Sequence, residues 1–395
     1  MRKTSHVVIA GGGVAAVEAA LALRALAEDR VDVELLCPDP LFWYRPLAVA
    51  EPFRLGEARR FEVAELAAAA GAALTLGTLA SVDVERRLAR TVAGGDIPYD
   101  ILLIACGAVP TTAIPGAITF RGPADVERVE RLLDELDAGA ARRVAFAVPS
   151  GTVWSLAAYE LALLTASRAA ARDTAHVEVS LVTPEERPLQ VFGAAASDAV
   201  ARLLEARGIA CHLACHPLDV RGNELALVGG GSIPADRVVA LPRLRGRAVD
   251  GIAQTREGFV PVDPHGHVFG AEDVYAAGDV TSFPLKQGGI AAQQADAAAE
   301  SIAARVGARV QPRPFRPVLR GLLLTGGEPL YVRRELTRDP GEAPVGSDPL
   351  WWPPAKIVGR YLAPFLGVLA RNEAVRELSA GPDAVPVSPR ADPGF

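Results

Sequence analysis

Uninterrupted apolar runs alternate with longer amphipathic stretches along most of the chain. Residues 7–10 and 274–277 are such runs, a strand that includes two acidic positions is predicted at residues 31–36, and a helical pattern occupies residues 17–27 before it. Runs without polar interruption are typical of strands that are buried on both faces of a parallel sheet. The pattern therefore predicts an α/β fold that begins with a strand, a helix and a second strand.

The same order recurs in the middle of the chain. A strand is predicted at residues 143–148, a helix at 156–170 and a further strand at 177–183. Because this order matches the first unit, the chain is expected to contain two related folds.

The C-terminal region has a different pattern. Short strands are predicted at residues 319–324 and 330–334, and Trp351-Trp352-Pro353-Pro354 precedes a helical pattern from 355 to about 370. Two interpretations stay open for this basic helix. It lies in a membrane interface beside the paired tryptophans, or it packs on the first fold or on the partner in a homodimer. The proline-rich sequence from about Gly381 predicts disorder.

Composition and charge exclude several classes of function. The 395 residues include 41 Lys and Arg and 47 Asp and Glu, so the chain lacks the basic field that attracts nucleic acid. Its 4 cysteines form neither a disulfide framework nor a metal cluster. Cys211 and Cys215 are expected on one strand, too far apart to bond. No apolar run is long enough to span a membrane, and we expect a cytoplasmic protein without a metal site.

A glycine motif follows the first strand directly. Residues 11–16, Gly-Gly-Gly-Val-Ala-Ala, have the spacing G-x-G-x-x-A between a strand and a helix. Gly11 permits the tight turn, Gly13 lets the backbone approach a pyrophosphate, and Ala16 keeps helix and strand close. The free N–H groups at the helix start attract the anion. The motif predicts a phosphate-binding turn.

The end of the next strand departs from this motif. An acidic residue is expected there to hold the adenosine ribose, but the position carries Cys37. Asp39 is either the ribose ligand or only part of the Pro38-Asp39-Pro40 turn.

A second polar turn follows the strand at residues 274–277. Gly278-Asp279 ends this strand, and a carboxylate there is suited to accept hydrogen bonds from a chain of sugar-like hydroxyls. Lys286-Gln287-Gly288-Gly289 then leads into a helix predicted at residues 290–304, whose N-terminus points at the group that Asp279 holds. A flavin carbonyl is a suitable guest. A buried turn with a solvated lysine is the alternative.

In this order, the motifs resemble those of the FAD-dependent pyridine nucleotide-disulfide oxidoreductase superfamily. The resemblance is nearest to the branch that contains sulfide:quinone oxidoreductases and type II NADH dehydrogenases, and it spans roughly residues 5 to 320. The matching segments are Gly11–Ala16, Tyr44–Leu47, Tyr99–Asp100, Ala105–Gly107, Gly258–Asp263, Gly278–Asp279 and Lys286–Asp296.

The resemblance implies an α/β fold class with two Rossmann-like dinucleotide-binding domains, of which the FAD domain is interrupted by an NAD-like domain. A small C-terminal region completes the chain. The expected boundaries are 1–117 with 253–320 for the FAD domain, 118–252 for the NAD(P)-like domain and 321–395 for the C-terminal region.

The resemblance also implies FAD as the cofactor and assigns residues to it. Asp279 would hold the ribityl chain, and Lys286 would face the isoalloxazine ring. Ala105-Cys106-Gly107 would cross beneath the cofactor, with a thiol in place of the family's threonine hydroxyl. The residues expected to bind FAD are Gly11, Gly13, Val14, Ala15, Ala16, Asp39, Arg45, Pro46, Ala80, Val82, Ala105, Cys106, Gly107, Gly278, Asp279, Lys286, Gln287 and Gly288.

The second domain departs from the family pattern. Its turn at residues 149–154 lacks the glycine pair that close pyrophosphate approach needs, which argues against NAD(P)H. Trp154 stands where sulfide:quinone oxidoreductases carry a redox cysteine, and it either covers the flavin or closes a domain interface. Residues 38–60 contain no cysteine, so chemistry through a cysteine pair is not expected.

Two residues are expected to be catalytic, Lys286 and Glu160. By resemblance, Glu160 lies near the flavin and a quinone and relays protons. The alternative is a helix glutamate that pairs with a nearby arginine at the surface.

The sequence thus predicts an FAD-dependent oxidoreductase that carries two electrons from a small-molecule donor to a quinone or another small acceptor. Peripheral contact with the inner face of the cell membrane stays open. One alternative is an NAD(P)H-dependent flavin reductase or dehydrogenase. The other is a flavin-binding subunit or sensor without turnover.

Overall fold

The computed structural model describes residues 4–174, 176–336 and 343–368. The first helices and strands in chain order are β1 (Ser5–Ala10), α1 (Val14–Ala27), β2 (Val31–Cys37), β3 (Leu41–Trp43), β4 (Arg60–Glu62), α2 (Val63–Ala70), β5 (Ala73–Leu76), β6 (Leu79–Asp83), β7 (Leu88–Thr91), β8 (Asp96–Pro98) and β9 (Ile101–Ile104).

The middle of the chain adds three helices and ten strands. They are β10 (Ala108–Thr111), β11 (Ile118–Thr119), α3 (Val126–Asp137), β12 (Arg143–Ala147), α4 (Leu156–Ala171), β13 (Glu178–Val182), α5 (Ala194–Ala206), β14 (Ala210–His212), β15 (Pro217–Arg221), β16 (Glu224–Leu227), β17 (Ser232–Pro234), β18 (Arg237–Ala240) and β19 (Arg243–Gly246).

The last described elements return to the first sheet and then leave it. They are β20 (Val274–Ala276), α6 (Gly288–Arg305), β21 (Val318–Leu323), β22 (Leu330–Glu335), β23 (Val345–Gly346) and a helix, α7, at residues 362–368.

The first parallel sheet has the order β20-β9-β1-β2-β5. Its central strand β1 is apolar because helices α1, α2 and α6 cover one face and a second apolar cluster covers the other. From β1 the chain moves to β2 on one side, whereas β9 and β20 lie on the other. The carboxyl end of β1 is therefore a topological switch point, where α/β sheets bind their ligands.

The second parallel sheet has the order β11-β18-β12-β13-β14. Its central strand β12 ends at the turn of residues 149–154, in the place that the glycine turn occupies in the first sheet. Together the two sheets confirm the α/β fold class that the hydrophobic pattern predicts.

A three-stranded antiparallel sheet, β21-β22-β23, follows α6. Leu319 and Leu323 of β21 are buried in the same apolar cluster as Leu161 of α4. This packing brings the C-terminal part of the chain against the second parallel sheet.

Two sequence expectations are wrong in their detail. In the described part of the predicted helix at 355–370, residues 362–368 are helical and residues 355–361 are not. The positions after 368 lie outside the described residues, as does the segment from Gly381 that is expected to be disordered. The strand that contains Cys211 ends at His212, and Ala214 turns the chain with φ 51 before Cys215. Both thiols are free.

Two absences hold for the described ranges. None of their helices combines the length and apolarity that a membrane crossing needs. Their His, Cys, Asp and Glu side chains form no group of three or more suited to a metal ion.

Candidate functional site

A cavity of about 750 Å³ lies where the carboxyl ends of the two parallel sheets meet. Most residues that the sequence predicts for the site line its wall: Gly11, Gly13, Val14, Ala15, Asp39, Arg45, Pro46, Ala105, Cys106, Gly107, Glu160, Gly278, Asp279, Lys286, Gln287 and Gly288. The fold thus brings these distant segments together around one space.

Three of the predicted residues do not line this cavity. Ala16 is fully buried in α1 beneath the glycine turn, which agrees with a packing role. Ala80 and Val82 lie on β6, where their backbone groups bond to the backbone of Asp250. A direct side-chain contact of Ala80 or Val82 with a molecule in the cavity is therefore not supported.

The glycine turn after β1 is shaped by two different constraints. Gly11 has φ +152, and a Cβ there would lie 2.2 Å from the carbonyl oxygen of Ala105, so that only glycine fits. Gly13 has open space instead, with no atom within 4 Å of an added Cβ. As the N-cap of α1, Gly13 offers no side chain to the free N–H groups of the first turn. The turn leaves room for a phosphate at a helix N-terminus.

The structure places Asp39 in a turn. Its Oδ1 accepts a hydrogen bond of 2.9 Å from the N–H of Leu41, and the Cys37 thiol donates one of 3.4 Å to its carbonyl oxygen. The turn interpretation is therefore observed, while a ribose contact of Asp39 stays a prediction.

The turn at Gly278-Asp279 packs directly on the glycine turn of α1. A Cβ on Gly278, whose φ is +83, would lie 2.9 Å from the Cβ of Ala15. Of the described residues, none forms a hydrogen bond with the Asp279 carboxylate. Burial raises the pKa of Asp279, and the charges of Lys286 and Arg45 oppose this shift. The carboxylate is thus free to accept hydroxyl donors in the cavity.

Lys286 lies beside this carboxylate. Its ammonium donates to the carbonyl oxygen of Thr281 and lies 4.0 Å from the ring centroid of Phe259. Burial lowers the pKa of Lys286 to about 8, and the charge of Asp279 opposes the shift. Lys286 is therefore held as a cation near neutral pH by a carboxylate and an aromatic face.

The N-terminus of α6 also reaches the cavity wall. Gln287 caps it, because its Oε1 accepts a hydrogen bond of 2.9 Å from the N–H of Ile290. The amide nitrogen of Gln287 donates to the carbonyl oxygen of Arg320 at 3.1 Å, which ties the helix start to β21. Gly288 allows close approach of Ile357, whose Cδ1 would lie 2.7 Å from an added Cβ.

The crossing after β9 carries a thiol that is held in its neutral form. Burial raises the pKa of Cys106 to about 11, and the charge of Arg247 opposes this shift only in part. All four cysteines of the chain are free. The geometry therefore contains no disulfide that a flavin would reduce.

Glu160 does not lie at the surface beside an arginine. It is buried on α4, accepts a hydrogen bond of 2.9 Å from the N–H of Leu324, and forms a buried ion pair with Lys356. Burial raises the pKa of Glu160, and Lys356 opposes the shift. Both side chains line the cavity. The surface interpretation is wrong because β21 and the C-terminal segment cover this part of α4.

Lys356 is a charged residue of the cavity wall that the sequence does not reveal. It belongs to a segment that we call the C-terminal strap, residues 356–362. Its first two residues, Lys356 and Ile357, line the cavity, and its last residue starts α7. The hydroxyl of Tyr44 accepts a hydrogen bond of 2.9 Å from the N–H of Ile357. Tyr44 belongs to the Tyr44-Arg45-Pro46-Leu47 motif that the sequence analysis identifies. In contrast, no residue near Lys356 in the sequence identifies Glu160 as its partner.

The turn at the end of β12 presents Trp154 to the cavity. Its ring packs edge-on against Phe192 with centroids 5.7 Å apart. The buried carboxylate of Glu185, just after β13, accepts hydrogen bonds from Ser155 at 3.1 Å, Tyr159 at 2.7 Å and Thr183 at 2.9 Å. The acidic side chain at the end of the second strand is thus already satisfied within the protein.

Helix α7 packs against the first parallel sheet and its helices. Leu362 and Leu366 of α7 are buried in the same cluster as α1 and α6. This favours the packing interpretation of the C-terminal helix. In contrast, Trp352 is 84% exposed.

Comparisons with known proteins agree with this architecture. The family model described as pyridine nucleotide-disulphide oxidoreductase matches residues 5–300. A comparison with curated proteins found no match. Among solved structures, the chain is similar to the sulfide:quinone oxidoreductase of the hyperthermophilic bacterium Aquifex aeolicus, with a TM-score of 0.76 and 20% identity over 87% of each chain.

Two further solved structures share the fold. The ferredoxin reductase for the CYP199A2 system of Rhodopseudomonas palustris has a TM-score of 0.64 and 19% identity, over 84% of this chain and 83% of its own. NDH2 of Plasmodium falciparum has a TM-score of 0.59 and 16% identity, over 71% of this chain and 64% of its own.

Proposed function

Because the chain belongs to the pyridine nucleotide-disulphide oxidoreductase family of FAD-dependent oxidoreductases, we propose that it passes two electrons to a quinone or another small acceptor. When bound, FAD supplies the electron-transfer chemistry. The residues of the chain bind the cofactor, exclude water and deliver protons. In this proposal no cysteine pair takes part.

The wall of the cavity fits FAD at both ends of the molecule. Gly13 leaves open space at the N-terminus of α1, where a pyrophosphate is stabilised by free N–H groups. Asp279 presents a carboxylate without a hydrogen-bond partner among the described residues, which suits the hydroxyls of a ribityl chain. The close packing of Gly278 on Ala15 sets these two features side by side.

The observation that carries the acceptor proposal is the buried pair of Glu160 and Lys356. Reduction of a quinone to a hydroquinone takes up two electrons and two protons, so the site must supply protons where water is scarce. Glu160 lies on the cavity wall, and burial raises its pKa, which favours uptake of a proton that can then be passed on. Lys356 orients the carboxyl group and stabilises the negative charge that remains after Glu160 has given its proton to the acceptor.

The second sheet offers less to a pyridine nucleotide. An NAD-binding fold needs a glycine turn after its first strand and a free acidic side chain after its second. Here Trp154 fills the turn, and the hydroxyls of Ser155, Tyr159 and Thr183 occupy the Glu185 carboxylate. These features favour an acceptor that enters beside Glu160 over a nucleotide on the second sheet.

A quinone is dissolved in lipid, so the proposal includes peripheral contact with the inner face of the cell membrane. Trp352, exposed next to the strap, has the amphipathic ring that favours a membrane interface.

The test separates the acceptor from the unknown donor. The purified flavoprotein is reduced by light under anaerobic conditions and mixed with a short-chain ubiquinone or with NAD⁺ in a stopped-flow instrument. We expect the flavin absorbance to recover rapidly with the quinone and not with NAD⁺. Rapid bleaching of the oxidised protein by NADH, without recovery by quinones, would overturn the proposal.

Glu160→Gln tests the proton role. The amide keeps the volume and an acceptor oxygen but carries no exchangeable acid, so quinone reduction should slow by about 100-fold or more. Glu85→Gln, at an exposed position in the turn between β6 and β7, is the matched control and should leave the rate unchanged. Equal rates in Glu160→Gln and the control would remove Glu160 from the mechanism.

A further inference from the structure

Two carboxyl side chains meet beneath the C-terminal strap, away from the acceptor. Glu18 projects from α1 and is fully buried. Its two oxygens accept hydrogen bonds of 2.8 Å from the backbone N–H groups of Tyr361 and Leu362. Gly359 lies so close that an added Cβ would be 2.3 Å from Oε2 of Glu18. Glu18 therefore anchors the strap and caps the start of α7.

Asp296 on α6 is the second carboxyl group, and it forms a side-chain hydrogen bond with Glu18. Two carboxyl groups bond to each other only when one of them holds a proton. Because both oxygens of Glu18 accept from the strap, the proton belongs on Asp296, which donates to Glu18. Oδ1 of Asp296 is buried, and no donor among the described residues reaches it. The pair is thus built around one shared proton.

The surrounding charges do not replace that proton. Arg360 of the strap and Arg313 after α6 both bind Glu300, at 3.5 Å for Arg360. Tyr361 of the strap also faces the pair. Burial and the charge of Glu18 raise the pKa of Asp296 to about 8, and Arg360 opposes this shift only in part. Burial raises the pKa of Glu18 as well, against the strap N–H groups.

The strap carries the residues that complete the cavity wall. Lys356 reaches Glu160, and Ile357 contacts Gly288 at the start of α6 and the hydroxyl of Tyr44. An undocked strap would leave Glu160 without its counter-charge. Docking of residues 356–362 therefore decides whether the cavity is closed at this end.

We propose that Glu18 and Asp296 are positioning residues that share one proton and hold the strap against the cavity wall, so that proton loss releases it. The closed form binds one proton more than an open form in which the two carboxyl groups are solvated. Linkage then requires that docking weakens as pH rises toward the pKa of Asp296 and levels off above it. The docking equilibrium is independent of which acceptor the cavity takes.

Hydrogen–deuterium exchange of the purified full-length flavoprotein tests this directly, without any acceptor. The readout is the protection of the strap amides, above all Tyr361 and Leu362, between pH 6 and 9 after correction for intrinsic exchange. In the unsubstituted protein we expect protection to fall by up to about tenfold per pH unit below pH 8.

Two variants separate the shared proton from simple packing. Asp296→Asn supplies a permanent N–H donor to Glu18, so protection should persist and lose its pH dependence. Glu18→Gln removes one of the two acceptors and should expose the strap at every pH. Asp32→Asn, at an exposed position on β2, is the matched control. The amides of β12 report whether each variant is folded.

Either of two results would overturn the inference: an Asp296→Asn variant whose strap exchanges with the same pH dependence as the unsubstituted protein, or a folded Glu18→Gln variant whose strap stays protected. Failure of quinone reduction alone leaves both readouts unchanged, so the two proposals fail separately.

Discussion

Gly11 and Gly13 are two residues apart, but we expect Gly11 to be needed for packing and Gly13 for cofactor binding. Alanine substitutions should distinguish these two roles. Gly11→Ala places a Cβ against the carbonyl oxygen of Ala105 at a φ that side chains avoid, and we expect a loss of about 2–4 kcal/mol in the free energy of unfolding. Gly13→Ala meets no protein atom within 4 Å, so the fold should persist while FAD is lost. Chemical denaturation of the apoprotein and flavin retention on gel filtration measure the two effects.

The contrast is decisive in both directions. A Gly13→Ala protein that keeps its FAD would show that the phosphate does not approach this backbone. A Gly11→Ala protein of normal stability would show that the crossing at Ala105 is less tightly fixed than the distances indicate.

Cys106 is expected to be dispensable for electron transfer. Since burial raises its pKa to about 11, about one thiol in a thousand is ionised at pH 8, and iodoacetamide should label it slowly at that pH. Labelling should accelerate as pH rises toward 11. Cys106→Thr should retain flavin and turn over within about twofold of the unsubstituted rate, because a hydroxyl fills the same space. If this variant binds flavin but no longer turns over, the Cys106 thiol takes part in electron transfer and the prediction is wrong.

For single residues, the sequence reveals a role when the interacting partners are close together in the chain. The roles of Gly11 and Ala16 follow from a strand and a helix only a few positions apart. The partnership of Glu160 and Lys356 spans 196 residues, and no local pattern encodes it. Glu18, which stands among apolar residues of α1, binds backbone N–H groups 343 and 344 residues later.

Among the elements, the strap is the one whose packing can be tested by a single methyl group. Gly359→Ala puts a Cβ within 2.3 Å of Glu18, whereas Gly367→Ala in α7 meets no atom within 4 Å. We expect the first variant to lose strap protection and about 1–3 kcal/mol of stability, and the second to match the unsubstituted protein. Thermal unfolding and strap exchange measure both.

Equal behaviour of the two glycine variants would mean that the strap adjusts to Glu18 without cost. The comparison controls for the general effect of replacing glycine, because both positions lie in the same C-terminal segment.

Strands β1, β12 and β20 could be predicted because apolar residues run along them, and helices α1 and α4 because apolar residues recur on their buried faces. The helix at 355–370 could not. Its apolar spacing suits a helix, but residues 355–361 follow a non-helical path, because Tyr44 and Glu18 bind the backbone N–H groups of Ile357 and Tyr361 from distant elements. Tertiary hydrogen bonds override local propensity there.

For the whole molecule, the exposed Trp352 makes a prediction about the surface rather than the cavity. Trp352→Ser should weaken sedimentation with vesicles of anionic phospholipid, because the ring no longer enters the interface, while turnover with a water-soluble quinone should be unchanged. Leu76→Ser, also at an exposed apolar residue but on β5, is the matched control. Equal sedimentation of both variants would argue against membrane contact through this tryptophan.

The two parallel sheets could be predicted from the sequence, but the packing of the C-terminal sheet against α4 could not. Two strand–helix–strand units predict two parallel sheets, yet the position of β21 over α4 depends on side chains such as Leu319 and Phe192 that share no local motif. This placement converts an apparently exposed glutamate into part of the cavity wall.

The cavity is lined by residues from both ends of the described chain, including Gly11 and Lys356, and this has a consequence for biosynthesis. A ribosome must release nearly the whole polypeptide before Lys356 can neutralise Glu160, so partially synthesised chains hold an uncompensated charge at the centre of the site. Insertion of the flavin is therefore expected to belong to the finished chain, and translation intermediates stalled before residue 356 should emerge colourless.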